Sequence, residues 1–124
     1  NRRFVSEYEQ RFGKVPSYYS DGAYTGGLFL KAALEAIGGR IEDKEAFLSA
    51  LLRVSVDAPR GPVRLDAYQN PIQNVYIRRV DRVGGRLQNT VIYTFQNVSQ
   101  FWVYDPNWFL SRPVYSRDFP PLRQ

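Results

Sequence analysis

The chain contains no cysteine, no histidine and no methionine among its 124 residues. The usual zinc sites, thiol nucleophiles, disulfides and catalytic triads with histidine as the base are therefore excluded. An oxygen-only site for Ca²⁺ or Mg²⁺ stays open in principle, but the acidic residues are too scattered to indicate one. We therefore expect no cofactor and no metal, and the residues offer no catalytic group of these kinds.

Long hydrophobic runs are also missing. A membrane-spanning helix needs about 18 apolar residues in succession, and the longest apolar-rich stretch, residues 26–37, is interrupted by Lys31 and Glu35. We expect no membrane span. The sequence also shows no N-terminal signal segment, which says little if the chain begins inside a longer protein.

Three helices are predicted in the first half, from apolar residues at helical spacing. The first covers residues 3–12 and ends at Gly13, and the second begins near Ser17 or Ser20 and stops at Gly38-Gly39. The third covers residues 43–54, with Asp43 as its N-cap. The predicted apolar stripe of the second helix consists of Ala23, Gly27, Leu30, Leu34 and Ile37, with Ala33 beside it.

From residue 63 the apolar period changes from 3.6 to 2, which predicts strands. Residues 59–62 contain two prolines and are predicted to break regular structure. A short strand is expected at 63–66, followed by a hairpin of strands 74–82 and 87–95 that turns at Gly84-Gly85.

The tail from residue 97 is rich in proline and aromatic residues. Disordered segments are poor in aromatics, so we expect an extended strap that is pinned to the protein body. One helical turn is predicted at residues 105–110, with Asp105 as its cap and Pro106 at its first position. The tail also includes Tyr115, Phe119, Pro120 and Pro121.

The order and spacing of these pieces resemble one family. The pattern comprises Phe12-Gly13, Pro16-Ser17, Tyr24, Ala32-Ala33-Leu34, Gly61-Pro62-Val63-Arg64-Leu65-Asp66 and Val75-Tyr76-Ile77-Arg78-Arg79-Val80. Over residues 3–83 it is similar to the final third of the periplasmic solute-binding proteins of ABC transporters, type I leucine/isoleucine/valine-binding class. The longer tail resembles the ending of a subgroup found in soil α-proteobacteria.

The resemblance implies an α/β protein, the C-terminal portion of a type I periplasmic-binding-protein fold. In that fold two lobes close on a ligand by a hinge motion. Residues 1–73 would belong to lobe one and residues 74–124 to lobe two, with a crossing between lobes near residues 74–78. The implied function is extracytoplasmic binding of a small organic acid, either a hydrophobic or branched-chain amino acid or an aromatic acid, and the resemblance implies that the protein is not an enzyme. The implied partners are membrane permease subunits, and the implied location is the periplasm.

The resemblance also places ligand contacts at the start of the second helix, where Tyr19 falls, with Tyr18 and Asp21 beside it. A helix N-terminus offers free N–H groups and positive potential to a carboxylate, and tyrosine adds an aromatic wall with a hydroxyl group. These residues could instead cap the helix and pack on its neighbours, and Asp21 suits the first turn of a helix.

Two other functions stay open. A receptor or regulator could use the same fold as a ligand-sensing domain. The net charge of +5, from 17 basic and 12 acidic residues, could also serve a nucleic-acid-binding module with Tyr76 and Tyr93 as stacking residues. However, the arginines are dispersed and no RNP-type motif is present, so we interpret the charge as a solvated surface. If the chain is one piece of a larger fold, its helices and hairpin should expose apolar faces.

Overall fold

A computed structural model describes residues 1–114 of the chain, and the tail predictions for Tyr115, Phe119, Pro120 and Pro121 lie outside these residues. The described elements in chain order are α1 (Arg2–Phe12), α2 (Tyr18–Ala36), α3 (Lys44–Arg53), β1 (Ser55–Ala58), β2 (Gly61–Leu65), β3 (Pro71–Val83), β4 (Arg86–Val98) and α4 (Pro106–Leu110). The four strands form one sheet in the order β1-β2-β3-β4, and each neighbouring pair is antiparallel. Within residues 1–114, no helix is long and apolar enough to cross a membrane.

The helix ends follow from local capping chemistry. Gly13 ends α1 in the left-handed conformation with φ of 66°, and its N–H donates to the Glu9 carbonyl at 2.8 Å. Ser17 and Ser20 form a reciprocal capping box at the start of α2. The Asp43 carboxylate accepts a hydrogen bond from the Ala46 N–H at 2.9 Å at the start of α3. The predicted bounds of all three helices are confirmed within two residues.

The predicted apolar face of α2 is confirmed only in part. The buried side of the helix consists of Thr25, Phe29 and Ala33, followed by the C-cap residue Ile37, and of these only Ala33 and Ile37 were predicted. Leu30, at the centre of that stripe, is 51% exposed. Apolar residues lie on more than one side of α2, so helical spacing did not determine which side α3 and β1 cover.

The core forms where α2 and α3 pack on the first two strands. One cluster contains Phe29, Val56, Ala58 and Val63, and a second contains Ala33, Ile37 and Ala50. Strand β1 was not predicted, and the segment around Pro59 was expected to break regular structure. Instead Ala58 pairs with Gly61, so Pro59 and Arg60 form the turn of a β1–β2 hairpin.

Strands β3 and β4 form a long two-stranded arm, both longer than predicted. The turn at Gly84-Gly85 is confirmed, with φ of 56° and 79°. Residues 71–73 of β3 pair with β2, Gln73 also pairs with Val98 of β4, and from Val75 onward the partner of β3 is β4. The expectation of exposed apolar faces is also confirmed, since Val80 is 64% exposed and Ile92 is 54% exposed.

The described part of the tail is pinned to the turn between β2 and β3 as expected, but it consists of turns and the short helix α4 rather than an extended strap. The Phe101 side chain is 5% exposed, and its ring lies edge-on to Tyr68 with 5.2 Å between the ring centroids. The Gln100 Nε2 donates to the Asp66 carboxylate at 2.9 Å. Helix α4 begins with the predicted cap, because Asp105 accepts from the Trp108 N–H at 2.9 Å.

Asp66 joins this tail to the turn through its charge. Desolvation of the Asp66 carboxyl favours its neutral form. Hydrogen bonds from the Asn70 N–H, the Gln100 side chain and the Tyr68 N–H outweigh that effect, so the pKa of Asp66 lies below its ordinary value. The ionised carboxylate is therefore the form that stabilises the turn.

Acidification should release the Asp66 contribution to stability. A lowered pKa in the folded state stabilises the protein above the unfolded pKa of about 3.9, and this contribution is lost as the pH falls through the folded pKa. We expect Asp66→Asn to lower the melting temperature at neutral pH and to flatten the acid-side decline. Thermal melts of the intact protein from about pH 7 to pH 3 measure both effects. The control is Asp57→Asn, at an exposed position, and equal losses in the two variants would contradict this assignment.

Candidate functional site

A cleft of about 600 Å³ opens where α1, the start of α2, the β1–β2 turn and the beginning of β3 meet. Its walls include Ser17, Tyr18, Asp21, Arg60, Asn74 and Tyr76. A second groove, of about 470 Å³, runs along α1 between Tyr8, Phe12 and Tyr24. Because none of the predicted site residues lines the second groove, we consider the first cleft as the candidate site.

Two of the three predicted contact residues line this cleft. Tyr18 and Asp21 are in its wall, whereas Tyr19 lies beside the cleft, and the two tyrosines are 75% and 84% exposed. The rings of Tyr18 and Tyr19 are 6.0 Å apart, edge to face. The start of α2 thus presents two adjacent tyrosines, one in the cleft wall and one next to it.

The start of α2 is fixed in place by its own side chains. The Ser17 hydroxyl accepts from the Ser20 N–H at 3.4 Å, and the Ser20 hydroxyl donates to the Tyr8 hydroxyl of α1 at 3.1 Å. The first N–H groups of a helix have no partner within the helix, and they create a positive potential there. This end of α2 is therefore a rigid, electropositive part of the cleft wall.

Asp21 is held by a network that joins three elements. Its carboxylate forms an ion pair with the Arg60 guanidinium and accepts a hydrogen bond from the Thr25 hydroxyl at 3.4 Å. The Arg60 Nε donates to the Gln73 side-chain oxygen at 2.7 Å. The Arg60 and Asp21 side chains are only 20% and 15% exposed, so solvent screens their attraction less than that of surface pairs. The first turn of α2 is thereby tied to the β1–β2 turn and to β3.

The backbone of the same turn is also held by β3. The Tyr76 hydroxyl donates to the Arg60 carbonyl and accepts from the Asn74 side-chain amide. The Asn74 side-chain oxygen accepts from the Asn97 N–H of β4 at 3.1 Å. The pairing of β3 with β4 is irregular between Gln73 and Val75 and again between Ile77 and Arg78. The strand segment in the cleft wall is therefore bounded by two irregularities.

Sequence reasoning missed Arg60, Gln73 and the role of Tyr76. The segment around Arg60 was interpreted as a break in regular structure. Asp21 was recognised as a first-turn charge, but its partner lies 39 residues away in the sequence. Spacing patterns cannot reveal a contact of that range.

Comparisons with known proteins agree with the resemblance. The profile of the family described as "Periplasmic binding protein" matches residues 1–86. No curated protein matches the chain significantly.

Solved structures also match. An ABC transporter substrate-binding protein from Sphaerobacter thermophilus is 31% identical with a TM-score of 0.73, and the match covers 77% of this chain and 27% of that protein. A solute-binding protein of an ABC transporter from Rhodopseudomonas palustris BisB5, in complex with 3,4-dihydroxybenzoic acid, is 32% identical with a TM-score of 0.74, covering 79% of this chain and 27% of that protein.

A more distant match shows the fold alone. A leucine-, isoleucine-, valine-, threonine- and alanine-binding protein from Brucella ovis is 21% identical with a TM-score of 0.63, and the match covers 77% of this chain and 27% of that protein. This chain thus spans about a quarter of the length of each of the three proteins. The helices, the antiparallel sheet and the 86 matched residues lead to one conclusion: the chain belongs to the periplasmic binding protein family and carries part of the fold of ABC transporter substrate-binding proteins.

Proposed function

We propose that the chain is the C-terminal portion of an extracytoplasmic solute-binding component of an ABC importer. The protein would bind a small organic acid in the cleft at the start of α2, without turnover, and deliver it in the periplasm to membrane permease subunits. The observation that carries this proposal is the cleft itself, which places Tyr18 and Asp21 at a capped helix N-terminus within a chain of this family.

The lobe boundary is part of the proposal. Residues 1–73 would belong to lobe one and residues 74–124 to lobe two, with β3 as the crossing strand. The irregular pairing after Gln73 and after Ile77 supports a crossing near residues 74–78, because bulges are places where a strand bends and changes its twist. The change of partner along β3, from β2 to β4, supports the same boundary.

An aromatic carboxylate is the ligand class that we favour. The helix N-terminus suits a carboxylate, and the Tyr18 and Tyr19 rings suit stacking or edge contacts with an aromatic ring. The relative in complex with 3,4-dihydroxybenzoic acid is 32% identical to this chain, whereas the relative that binds leucine and similar amino acids is 21% identical. Both the chemistry and the similarity therefore favour a benzoate-like ligand over a branched-chain amino acid.

Calorimetry of the intact binding protein tests this proposal directly. The panel comprises benzoate, hydroxylated benzoates, leucine, isoleucine and valine, and we expect binding of at least one aromatic carboxylate. Tyr18→Ala should weaken that binding by up to about tenfold, because a contact between two aromatic rings is worth about 0.5–1.5 kcal/mol. Tyr19→Ala, measured in parallel, tests the residue that lies beside the cleft.

The matched control is Tyr68→Ala. Tyr68 is 46% exposed and packs against Phe101 of the tail, not against the cleft, so its truncation should leave ligand affinity unchanged. Binding of amino acids with no response to benzoates would refute the ligand class, and silence across the whole panel would refute the proposed function.

A further inference from the structure

Asp21 creates an electrostatic problem for the ligand proposed above. Its carboxylate lies in the cleft wall, on the first turn of the helix whose N-terminus would receive the ligand carboxylate. With only 15% of the side chain exposed, solvent screens its charge poorly. An unpaired Asp21 would therefore repel the anion that the helix N-terminus attracts.

Arg60 is the cation that offsets this charge. Its guanidinium forms an ion pair with Asp21, while its Nε donates to Gln73 at 2.7 Å. Its backbone carbonyl is held by the Tyr76 hydroxyl, so the turn that carries the side chain is also fixed. Arg78 also lines the cleft but is exposed and lies over the Tyr76 ring, with 5.4 Å to the ring centroid. Arg60 is therefore the group whose placement is coupled to Asp21.

We propose that Arg60 is a specificity-determining residue that sets the charge preference of the cleft, because it neutralises Asp21 and so permits a carboxylate at the start of α2. This inference rests on the proposed function. Arg60 need not touch the ligand, since it acts through Asp21. Its effect should therefore depend on the charge of the ligand rather than on its shape.

The guanidinium suits this role better than an ammonium group would. Its planar fork donates from different nitrogen atoms to Asp21 and to Gln73 at the same time. The single ammonium nitrogen of lysine is less suited to reach both acceptors at these positions. Arg60→Lys should therefore keep much of the preference for an anion, because it keeps the charge, while it loosens the contact with Gln73.

The test compares Arg60→Gln, Asp21→Asn and the double variant in the intact protein. Affinity is measured for benzoate and for its neutral analogue benzamide. Arg60→Gln leaves the Asp21 charge without its ion-pair partner and should weaken benzoate binding about tenfold. Asp21→Asn leaves the Arg60 charge without its partner and should strengthen benzoate binding severalfold. The double variant should return to within about threefold of the wild type, and benzamide affinity should change about twofold or less in every variant.

The opposite signs separate this role from a structural one. If Arg60→Gln and Asp21→Asn both weaken benzoate and benzamide to similar extents, the pair only supports the fold and the proposal is wrong. If Arg60→Gln fails to fold, Asp21→Asn and Arg60→Lys provide the test. The proposal is wrong if Asp21→Asn binds benzoate more weakly than the wild type and Arg60→Lys weakens the binding of benzoate and benzamide equally. If the wild type binds no aromatic carboxylate, the proposed function fails and this inference falls with it.

Discussion

Phe29→Ala is expected to lower the free energy of unfolding by about 3–5 kcal/mol, the usual cost of deleting a buried phenylalanine. The Phe29 side chain is 8% exposed and packs in the cluster with Val56, Ala58 and Val63. It is the buried side chain of α2 in this cluster on the β1–β2 hairpin, so the cavity would lie between the helix and the sheet. Thermal or urea unfolding of the intact protein measures the loss.

Phe12→Ala provides a control of the same chemistry. Phe12 is 56% exposed at the end of α1 and contacts the Tyr8 ring at 4.6 Å between centroids. Its truncation should cost about 1 kcal/mol or less, as is usual for exposed positions. Comparable losses in the two variants would mean that Phe29 does not belong to the core.

Gly61→Ala should cost about 2–4 kcal/mol, because two effects combine at one position. Gly61 has φ of 106°, a conformation that strains any residue with a Cβ, at about 1–3 kcal/mol. The added Cβ would also lie 2.8 Å from the Tyr76 hydroxyl oxygen, so the hydrogen bond to the Arg60 carbonyl would be displaced, for about 1 kcal/mol more. The variant should lose ligand affinity as well as stability, since the same turn carries Arg60.

Gly84→Ala isolates the backbone contribution. Gly84 has φ of 56° in the arm turn, and a Cβ there would meet no atom within 4 Å. We expect a loss of about 1 kcal/mol and unchanged ligand affinity. If Gly61→Ala is no more harmful than Gly84→Ala in unfolding and in binding experiments, the contact with Tyr76 does not constrain the turn.

Features governed by neighbouring residues were predictable from the sequence. The cap of α4 at Asp105, the stop at Gly13 and the turn at Gly84-Gly85 each depend on contacts within about four residues, and all three are confirmed. The buried face of α2 was not predictable, because it depends on which side α3 and β1 cover. Strand β1 escaped detection because it has only four residues, one of them the exposed Asp57.

Only part of the candidate site was likewise predictable from the sequence. The family resemblance pointed to the start of α2, and the structure places Tyr18 and Asp21 in a cleft wall there. The ligand contacts themselves stay a prediction. The partner of Asp21 could not be inferred, because the β1–β2 turn reaches α2 only after the hairpin has folded onto the helix, and nothing in the local pattern around Arg60 encodes that approach.

The pairing of Gln73 with Val98 has a mechanical consequence. These two residues are direct neighbours, so the backbone of residues 74–97 starts and ends at one pair of positions, a joint of two strands beside the cleft. The tip of the arm also contacts α1 through the Arg86–Glu9 ion pair, at 3.1 Å. Two-stranded ribbons twist more than wider sheets, so the arm can turn about the joint as far as this ion pair allows. A short bridge from Gln73 to Val98 would excise the arm, together with the ion pair and the β3 side chains of the cleft wall, and keep the backbone from the core to the docked tail continuous.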